Sequence, residues 1–448
     1  KISAKGKLDS KIGGVLNDSL RDVMLGAGLA MPLEEINLAE VFDQQTRVTR
    51  MGEGGITNAQ SVPEESRMVH PSQYGFIDYL RSPECYDSET EVMTKQGWKK
   101  WPDVVNTDEL ACLINNKLHF CVPDKLHKHA YDGVMYGADS GVVSYLVTPN
   151  HRLWVSGLFK NAKYHFEYAS EVKNFRKVLS SGFEAWCGGD EEFFELPQVT
   201  ISHNAKQVAL STTLCCVDRI AIDDWSEFIG WWLGEGSAEC VESKGDGVVR
   251  YRVRLSQSKK ANPENYQRID ALLSRLPFSY RRDKDNRGFT LAVKQLASYL
   301  VQFGGSNSRY IPAYLLNAKE SARQRLFESL LLGEGRKSKK GDRRSFCTTS
   351  LQLAEDFQKL AFSLGKSTTL SWEKDDRPQA NNGGAWVVYI HTTKAHQLHH
   401  KKSPAQGGGC DHYTVNYNGY VYCATVPGSL LYVRRGKGLG HWSGNSGR

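Results

Sequence analysis

The sequence has no run of about 18 consecutive apolar residues, which excludes a membrane-spanning helix. Its first residues, Lys1-Ile2-Ser3-Ala4-Lys5, contain no apolar signal region. None of its 10 cysteines forms a Cys-x-x-Cys pair, which argues against a zinc module and for a reducing cytosol. The neighbours Cys215 and Cys216 read as small buried side chains, not a redox site. The excess of charge of one sign is small too. A net charge of +7 permits nucleic-acid contact but argues for it only where basic residues cluster. With 40% apolar and 24% charged residues the composition is that of a soluble globular protein. The 448 residues exceed one ordinary core and imply two to four domains. The chain starts at Lys1 and stops at Arg448 in mid-motif, as a fragment of a longer protein would.

What is present changes texture at Cys85. Residues 1–84 are punctuated by Gly and Arg: Arg47-Val48-Thr49, Gly52-Glu53-Gly54-Gly55-Ile56, then Val69-His70-Pro71-Ser72-Gln73-Tyr74-Gly75. Taken alone they read as an irregular segment of a larger domain. In this order they resemble the catalytic-core region of the β subunit of multisubunit RNA polymerases. Ser82-Pro83-Glu84 continues that pattern only if joined to Ser446-Gly447-Arg448. Glu53 and Ile77-Asp78-Tyr79 depart from the bacterial pattern, which suggests a divergent polymerase, such as that of a large phage.

After Cys85 come short strands around a turn, Glu91 to Thr94 and Gly97 to Lys100. Further on, Thr148-Pro149-Asn150-His151 lies between apolar strands. Alone this is an ordinary turn with a satisfied histidine. Together with Cys85 and the chain's end it resembles the splicing domain of inteins, the Hint fold. The resemblance implies that the Cys85 sulfur replaces the Glu84–Cys85 amide with a thioester. His151 is the implied proton donor to the departing nitrogen, since imidazole titrates near neutral pH. Thr148 either hydrogen-bonds the scissile backbone or orients His151.

The end of the chain supplies the matching half. Gly419 to Pro427 and Leu430 to Lys437 read as strands, followed by His441-Trp442-Ser443-Gly444-Asn445-Ser446. This resembles the C-terminal intein blocks. Asn445 is then the residue whose side-chain amide cyclises onto its own carbonyl, and Ser446 the hydroxyl that accepts the acyl chain. Gly444 stands where a histidine is usual, and Cys423 and Ser429 stand where an Asp and a His are usual. Help for Asn445 is therefore expected from His441 or His151. Cys423 is either an inert core residue or a contact to the junction.

Between these halves lies an internal repeat. Phe228-Ile229-Gly230-Trp231-Trp232-Leu233-Gly234-Glu235-Gly236 recurs as Phe327-Glu328-Ser329-Leu330-Leu331-Leu332-Gly333-Glu334-Gly335. Gly230 and Gly234, then Ser329 and Gly333, fall on one helical face and allow close packing. Glu235 and Glu334 then meet, and repel unless a cation sits between them. Each copy is followed by a strand, a helix and a strand. Arg250, Arg252 and Arg254 share one strand face, suited to phosphates and the major groove, or are simply solvated. Arg343 and Arg344 open the second copy's strand. The repeat resembles a two-motif LAGLIDADG homing endonuclease, which implies Mg²⁺ held by Glu235 and Glu334 and double-stranded DNA as partner. Arg309 stands where a lysine is usual, able to steady phosphate charge but not to shuttle a proton. Lys294 is the candidate substitute.

The expected architecture is multidomain: an all-β, horseshoe-like Hint domain with an inserted α+β domain of two αββαββα halves, behind an irregular host segment. The expected boundaries are 1–84 host, 85–211 first splicing half, 212–393 endonuclease, 394–445 second splicing half and 446–448 host. The expected activity is excision of residues 85–445 with ligation of Glu84 to Ser446, without a cofactor, plus DNA cleavage within the uninterrupted polymerase gene. Alternatives are a decayed endonuclease that only binds DNA, and a non-catalytic DNA-binding polymerase fragment. The intein is expected to be a monomer in the cytoplasm of an infected bacterial cell, and the spliced host to join other polymerase subunits.

Overall fold

A computed structural model describes residues 84–445, except 140–141, 160–161, 173–175, 203–211, 216–218, 243–248, 338–343, 375–382, 399–411 and 437, together with Val41. The host motifs of residues 42–83, Cys216, Arg343 and Ser446 lie outside the described residues. The chain divides into two compact units, Lys1–Tyr79 and Leu80–Arg448, and every described residue except Val41 belongs to the second. No described helix is long and apolar enough to cross a membrane.

The first strands are β1 (Thr90–Thr94), β2 (Gly97–Lys100), β3 (Leu110–Ile114), β4 (Lys117–Cys121), β5 (Lys125–Asp139), β6 (Ser144–Val147) and β7 (Arg152–Ser156). A two-residue turn joins β3 to β4. Asn115 and Asn116 hold it with φ of 50° and 64°, the left-handed region that asparagine tolerates.

A helical stretch follows. It contains α1 (Ile222–Glu235), β8 (Gly236–Glu242), β9 (Val249–Ser256), α2 (Pro263–Arg275), β10 (Arg281–Arg282), β11 (Gly288–Leu291) and α3 (Lys294–Val301). It continues with α4 (Glu320–Glu334), β12 (Gly335–Lys337), β13 (Arg344–Thr348), α5 (Leu351–Ser363), β14 (Ser367–Lys374) and β15 (Gly384–His391). Last come β16 (His412–Thr425), β17 (Leu430–Arg435) and β18 (His441–Gly444).

Residues 90–147 and 412–444 interleave. β16 pairs with β5 along its full length, from His412 opposite Ala138 to Thr425 opposite Lys125. β17 lies between β1 and β3 in a sheet ordered β2-β1-β17-β3-β4, with β18 on β17. Their side chains build one core, including Val92, Leu110, Val147, Val421, Leu431 and Val433.

The helical stretch has a core of its own, running from Leu196 and Ile220 to Val388. Its two halves share one plan. Each has a helix, two strands, a helix and two more strands, with sheet orders β8-β9-β11-β10 and β12-β13-β15-β14. The first half closes with α3. Among the described residues the second has no matching helix after β15, a difference from two equal αββαββα halves.

α1 and α4 cross at the centre. α1 buries Trp225, Phe228, Ile229, Trp231, Trp232 and Leu233, so it is apolar around most of its circumference, as a central helix must be. A Cβ added at Gly230 would overlap Ser329 Oγ, and one at Gly234 would stand 3.2 Å from Glu334 Cγ. Small residues are therefore what let the two helix backbones approach. α5 starts at Ser350, whose hydroxyl accepts a hydrogen bond from Leu353 N at 3.2 Å.

Candidate functional site

Cys85, Thr148, His151, Cys423 and Asn445 are all buried in the interleaved β part. Strand pairing gathers them. Tyr86 N donates to Tyr422 O at 2.8 Å, and Tyr422 N donates back to Tyr86 O at 2.9 Å. This antiparallel pair sets Cys85 across from Cys423, at a position where side chains of an antiparallel ladder come close.

The amide nitrogen of Cys85, which belongs to the Glu84–Cys85 bond, donates to Thr148 Oγ1 at 3.0 Å. Thr148 N donates to Cys85 O at 3.0 Å, and His151 N to Thr148 O at 3.0 Å. Of the two roles expected for Thr148, the geometry is that of a direct contact to the backbone at Cys85.

His151 Nε2 lies 3.0 Å from Ser443 Oγ. The ring packs against Tyr86 with centroids 4.4 Å apart. Burial, with Arg152 next, pushes the imidazole down to about 3, and Nδ1 is buried without a hydrogen-bond partner. His151 is thus neutral at physiological pH. A neutral ring of this kind accepts a proton before it gives one.

Burial pushes the Cys85 thiol well up, and the neighbouring Cys423 and Glu84 add to it. The sulfur is therefore protonated at rest and becomes a nucleophile only as its proton leaves.

Asn445 N donates to Ser429 O at 3.2 Å. Its side-chain Nδ2 donates to Val426 O at 3.3 Å. Tyr86 Oη donates to Gly444 O at 2.5 Å. Arg152, which no sequence pattern singles out, completes the site. Its Nη2 donates to Asn445 O at 2.8 Å, and its Nε to Glu84 Oε2 at 2.9 Å.

His441 is buried and pushed down to about 4 by that burial. It begins β18, opposite Val433. A strand rises about 3.3 Å per residue, so four residues set the Cα of His441 roughly 13 Å from that of Asn445. No hydrogen bond joins His441 to Asn445 among the described residues, and both ring nitrogens of His441 are buried without a partner. His441 does lie near enough to His151 to depress it.

In the helical part, Glu235 and Glu334 end α1 and α4 at the crossing, both half-buried. A Cβ at Gly333 would meet Glu235 Cγ at 3.5 Å. Glu334 is pushed up to about 7 by burial and then by Glu235, against Arg309 and Arg336. Burial also raises Glu235.

Arg309 differs from its expected role. It is buried, and Nη1 donates to Leu233 O at 2.7 Å while Nη2 donates to Gly236 O at 2.5 Å. Its guanidinium carbon stands 4.8 Å over the Trp232 ring. Arg309 caps the carbonyl end of α1, where cations are favoured, and is not presented to a phosphate. On β9, Arg250 and Arg252 are exposed and Arg254 half-buried, alternating with buried Val253 and Leu255. Arg252 pairs with Glu239 at 2.7 Å and Arg254 with Asp283 at 2.9 Å. Arg344 is exposed at the start of β13, and Lys294 Nζ stands 5.3 Å over the Tyr251 ring.

Residues 32–86 match the family RNA polymerase Rpb2, domain 3. The match ends one residue past Cys85. Over 66% of its length the chain is 28% identical to the ATP-dependent Clp protease proteolytic subunit of Chlamydomonas moewusii. Over 81% of its length it is 24% identical to the DNA-directed RNA polymerase subunit beta C-terminal section of Stigeoclonium helveticum. These matches take in 29% and 36% of the two relatives, so the chain spans about a third of their length.

Among solved structures, mesophilic variants of the homing endonuclease I-DmoI cover 38% of this chain and 90% of their own, at 18% identity and a TM-score of 0.29. I-DmoI in complex with its target DNA, in the presence of 2 mM Mn, gives 38%, 87%, 16% and 0.28. A splice-inactive AceL NrdHF class 3 split intein covers 30% of this chain and 78% of its own, at 15% identity and a TM-score of 0.20.

Proposed function

We propose that residues 85–445 excise themselves and join Glu84 to Ser446. Two distant bonds of the chain meet in one buried site, and that convergence supports the reading most directly. Cys85 N is held by Thr148 Oγ1, and Asn445 O by Arg152. An attack of the Cys85 sulfur on the Glu84 carbonyl transfers the acyl group from nitrogen to sulfur. The thiol proton passes to neutral His151, and the freed Cys85 nitrogen takes up a proton in exchange. The acyl chain then moves to the Ser446 hydroxyl, Asn445 cyclises, and an O-to-N shift leaves a Glu84–Ser446 peptide bond. No cofactor takes part in these steps.

The relatives support a mobile element. A match over two thirds of the chain cannot fit within residues 1–84, so most of it falls on the later residues. Two relatives with unrelated names, a protease subunit and a polymerase subunit, therefore share that stretch. The polymerase-family match confined to residues 32–86 fits a host segment interrupted at Cys85. The domain limits proposed are 1–84, 85–211, 212–393, 394–445 and 446–448. Expression of the chain followed by mass spectrometry for a peptide joining Glu84 to Ser446 tests the splicing reading.

For the inserted stretch we infer a DNA-binding endonuclease, or its binding-only descendant. Glu235 and Glu334 are two half-buried carboxylates, both raised by burial and Glu334 further by Glu235, and such a pair gains from a cation. They fit Mg²⁺ provided phosphate and water supply the other ligands, because no group of three or more metal-holding side chains occurs among the described residues. Bound Mg²⁺ would activate water and steady a leaving oxygen. Arg250, Arg252, Arg254 and Arg344 supply the basic surface. The burial of Arg309 under α1 favours the binding-only version, since no free cation is offered from the position where a lysine is usual. Cleavage of a plasmid carrying the uninterrupted polymerase sequence, with and without Mg²⁺, separates the two.

A further inference from the structure

Arg152 opens β7 directly after His151, and its guanidinium bridges Glu84, the residue before Cys85, and Asn445. Nε donates to Glu84 Oε2 at 2.9 Å and Nη2 to Asn445 O at 2.8 Å. The Phe166 ring lies 5.1 Å from the guanidinium carbon and fixes the side of the plane it can use. The side chains of Arg152 and Glu84 are 25% and 15% exposed, so water competes little for either bond.

Asn445 O is the oxygen on which negative charge grows when the side-chain amide attacks its own carbonyl. In that step the Nδ2–C bond forms and the bond to the Ser446 nitrogen breaks. Nδ2 gives up one proton, and the leaving nitrogen takes up one. A cationic donor already at hydrogen-bond distance from that oxygen stabilises the tetrahedral state. Arginine has four freely turning side-chain bonds leading to its guanidinium, and the Glu84 carboxylate removes much of that freedom.

Resting on the splicing reading, we propose two roles for Arg152. It is a catalytic residue for cyclisation of Asn445. Through its second nitrogen it is also a specificity-determining residue that favours an acidic side chain immediately before Cys85. The identity of a host residue on one side of the segment thereby sets the rate of bond breakage on the other.

The test uses the full chain carrying Cys85→Ala, which cannot form the thioester, and reads release of the fragment ending in the Asn445 succinimide by mass spectrometry. Arg152→Ala is expected to slow release about 100-fold, the order found for one oxyanion donor. Arg152→Lys keeps a charge but cannot bridge, and falls between. Glu84→Gln slows release about three- to tenfold with Arg152 present and has no further effect in Arg152→Ala, a non-additivity that mere packing loss does not produce. Thermal midpoints within a few degrees of the parent establish that the variants are folded. If Arg152→Ala does not fold, the Arg152→Lys and Glu84→Gln pair decides: full release in both overturns the proposal. Unchanged release in folded Arg152→Ala, or an equal effect of Glu84→Gln in both backgrounds, also overturns it. A parent that never releases at Asn445 removes the splicing reading itself. A parent that releases regardless of Arg152 removes this proposal alone.

Discussion

Gly444 sits against the backbone carbonyl of Arg152, where an added Cβ would overlap that oxygen. The helper histidine common at this position has no room here. Gly444→Ala is expected to lower stability by about 1–3 kcal/mol through overpacking and to slow release at Asn445. Gly444→His should slow release further and not accelerate it. Thermal unfolding and mass-spectrometric release rates of both variants check this. Faster release in Gly444→His would show that the site accepts a helper.

Two buried histidines set an acid limit on folding. His151 and His441 are pushed down to about 3 and about 4, below the ordinary value near 6.5. The unfolded chain therefore binds these protons first. The stability from keeping both rings neutral is complete above about pH 6.5 and is lost as pH falls toward their folded values. Between pH 7 and 5 the loss is about 2 kcal/mol for each histidine. Denaturant unfolding at the two pH values should show it, and His441→Gln should remove about half of the difference.

The same shift bears on the first step of the proposed splicing. With His151 neutral throughout and the Cys85 thiol raised by burial, thiol-induced cleavage at Cys85 should climb steadily with pH. No bend is expected near pH 6.5. Thr148→Ala should cut the rate on the order of 10-fold or more by freeing the Cys85 amide. Single-turnover cleavage of an Asn445→Ala, Ser446→Ala chain from pH 5.5 to 9 gives both readings.

At the helix crossing the sign reverses. Glu334 is pushed up to about 7, above its unfolded value, so its stabilising contribution is present below about pH 4.5 and is lost as pH rises through 7. Glu334→Gln should therefore stabilise the chain at pH 8 by on the order of 1–2 kcal/mol and change little at pH 5. Added Mg²⁺ should narrow the gap at pH 8. Differential scanning calorimetry with EDTA and with Mg²⁺ measures it.

Arg309 and Arg252 should part company in DNA binding. Arg309→Ala removes the bonds to the α1 carbonyls and is expected to lower the thermal midpoint while leaving the salt slope of binding unchanged. Arg252→Ala should barely move the midpoint and reduce the slope by about one. Fluorescence anisotropy at several salt concentrations distinguishes them.

Much of this arrangement is legible in the sequence. Gly230, Gly234, Ser329 and Gly333 announce a close helix crossing, because i,i+4 spacing alone puts small residues on one face. The alternation of Arg250, Arg252 and Arg254 with Val253 and Leu255 indicates which strand face meets solvent. The two- and three-residue strands β10 and β12 have too little pattern to stand out from their turns. Arg152 escapes a reading of the sequence because its importance lies in contacts to Glu84 and Asn445, which no local spacing reveals. One signal exists, since it follows His151 directly. Arg309 misleads for the opposite reason. Its motif position suggests phosphate, but the free carbonyls at the end of α1 claim its donors.

The most direct measurement is the mass of the product when the chain is expressed with Cys85 and Asn445 intact. Splicing predicts a peptide with Glu84 bonded to Ser446 and a separate fragment running from Cys85 to a succinimide at Asn445, both lost in Cys85→Ala with Asn445→Ala. A chain that remains whole, or fragments never joined across Glu84 and Ser446, would contradict it.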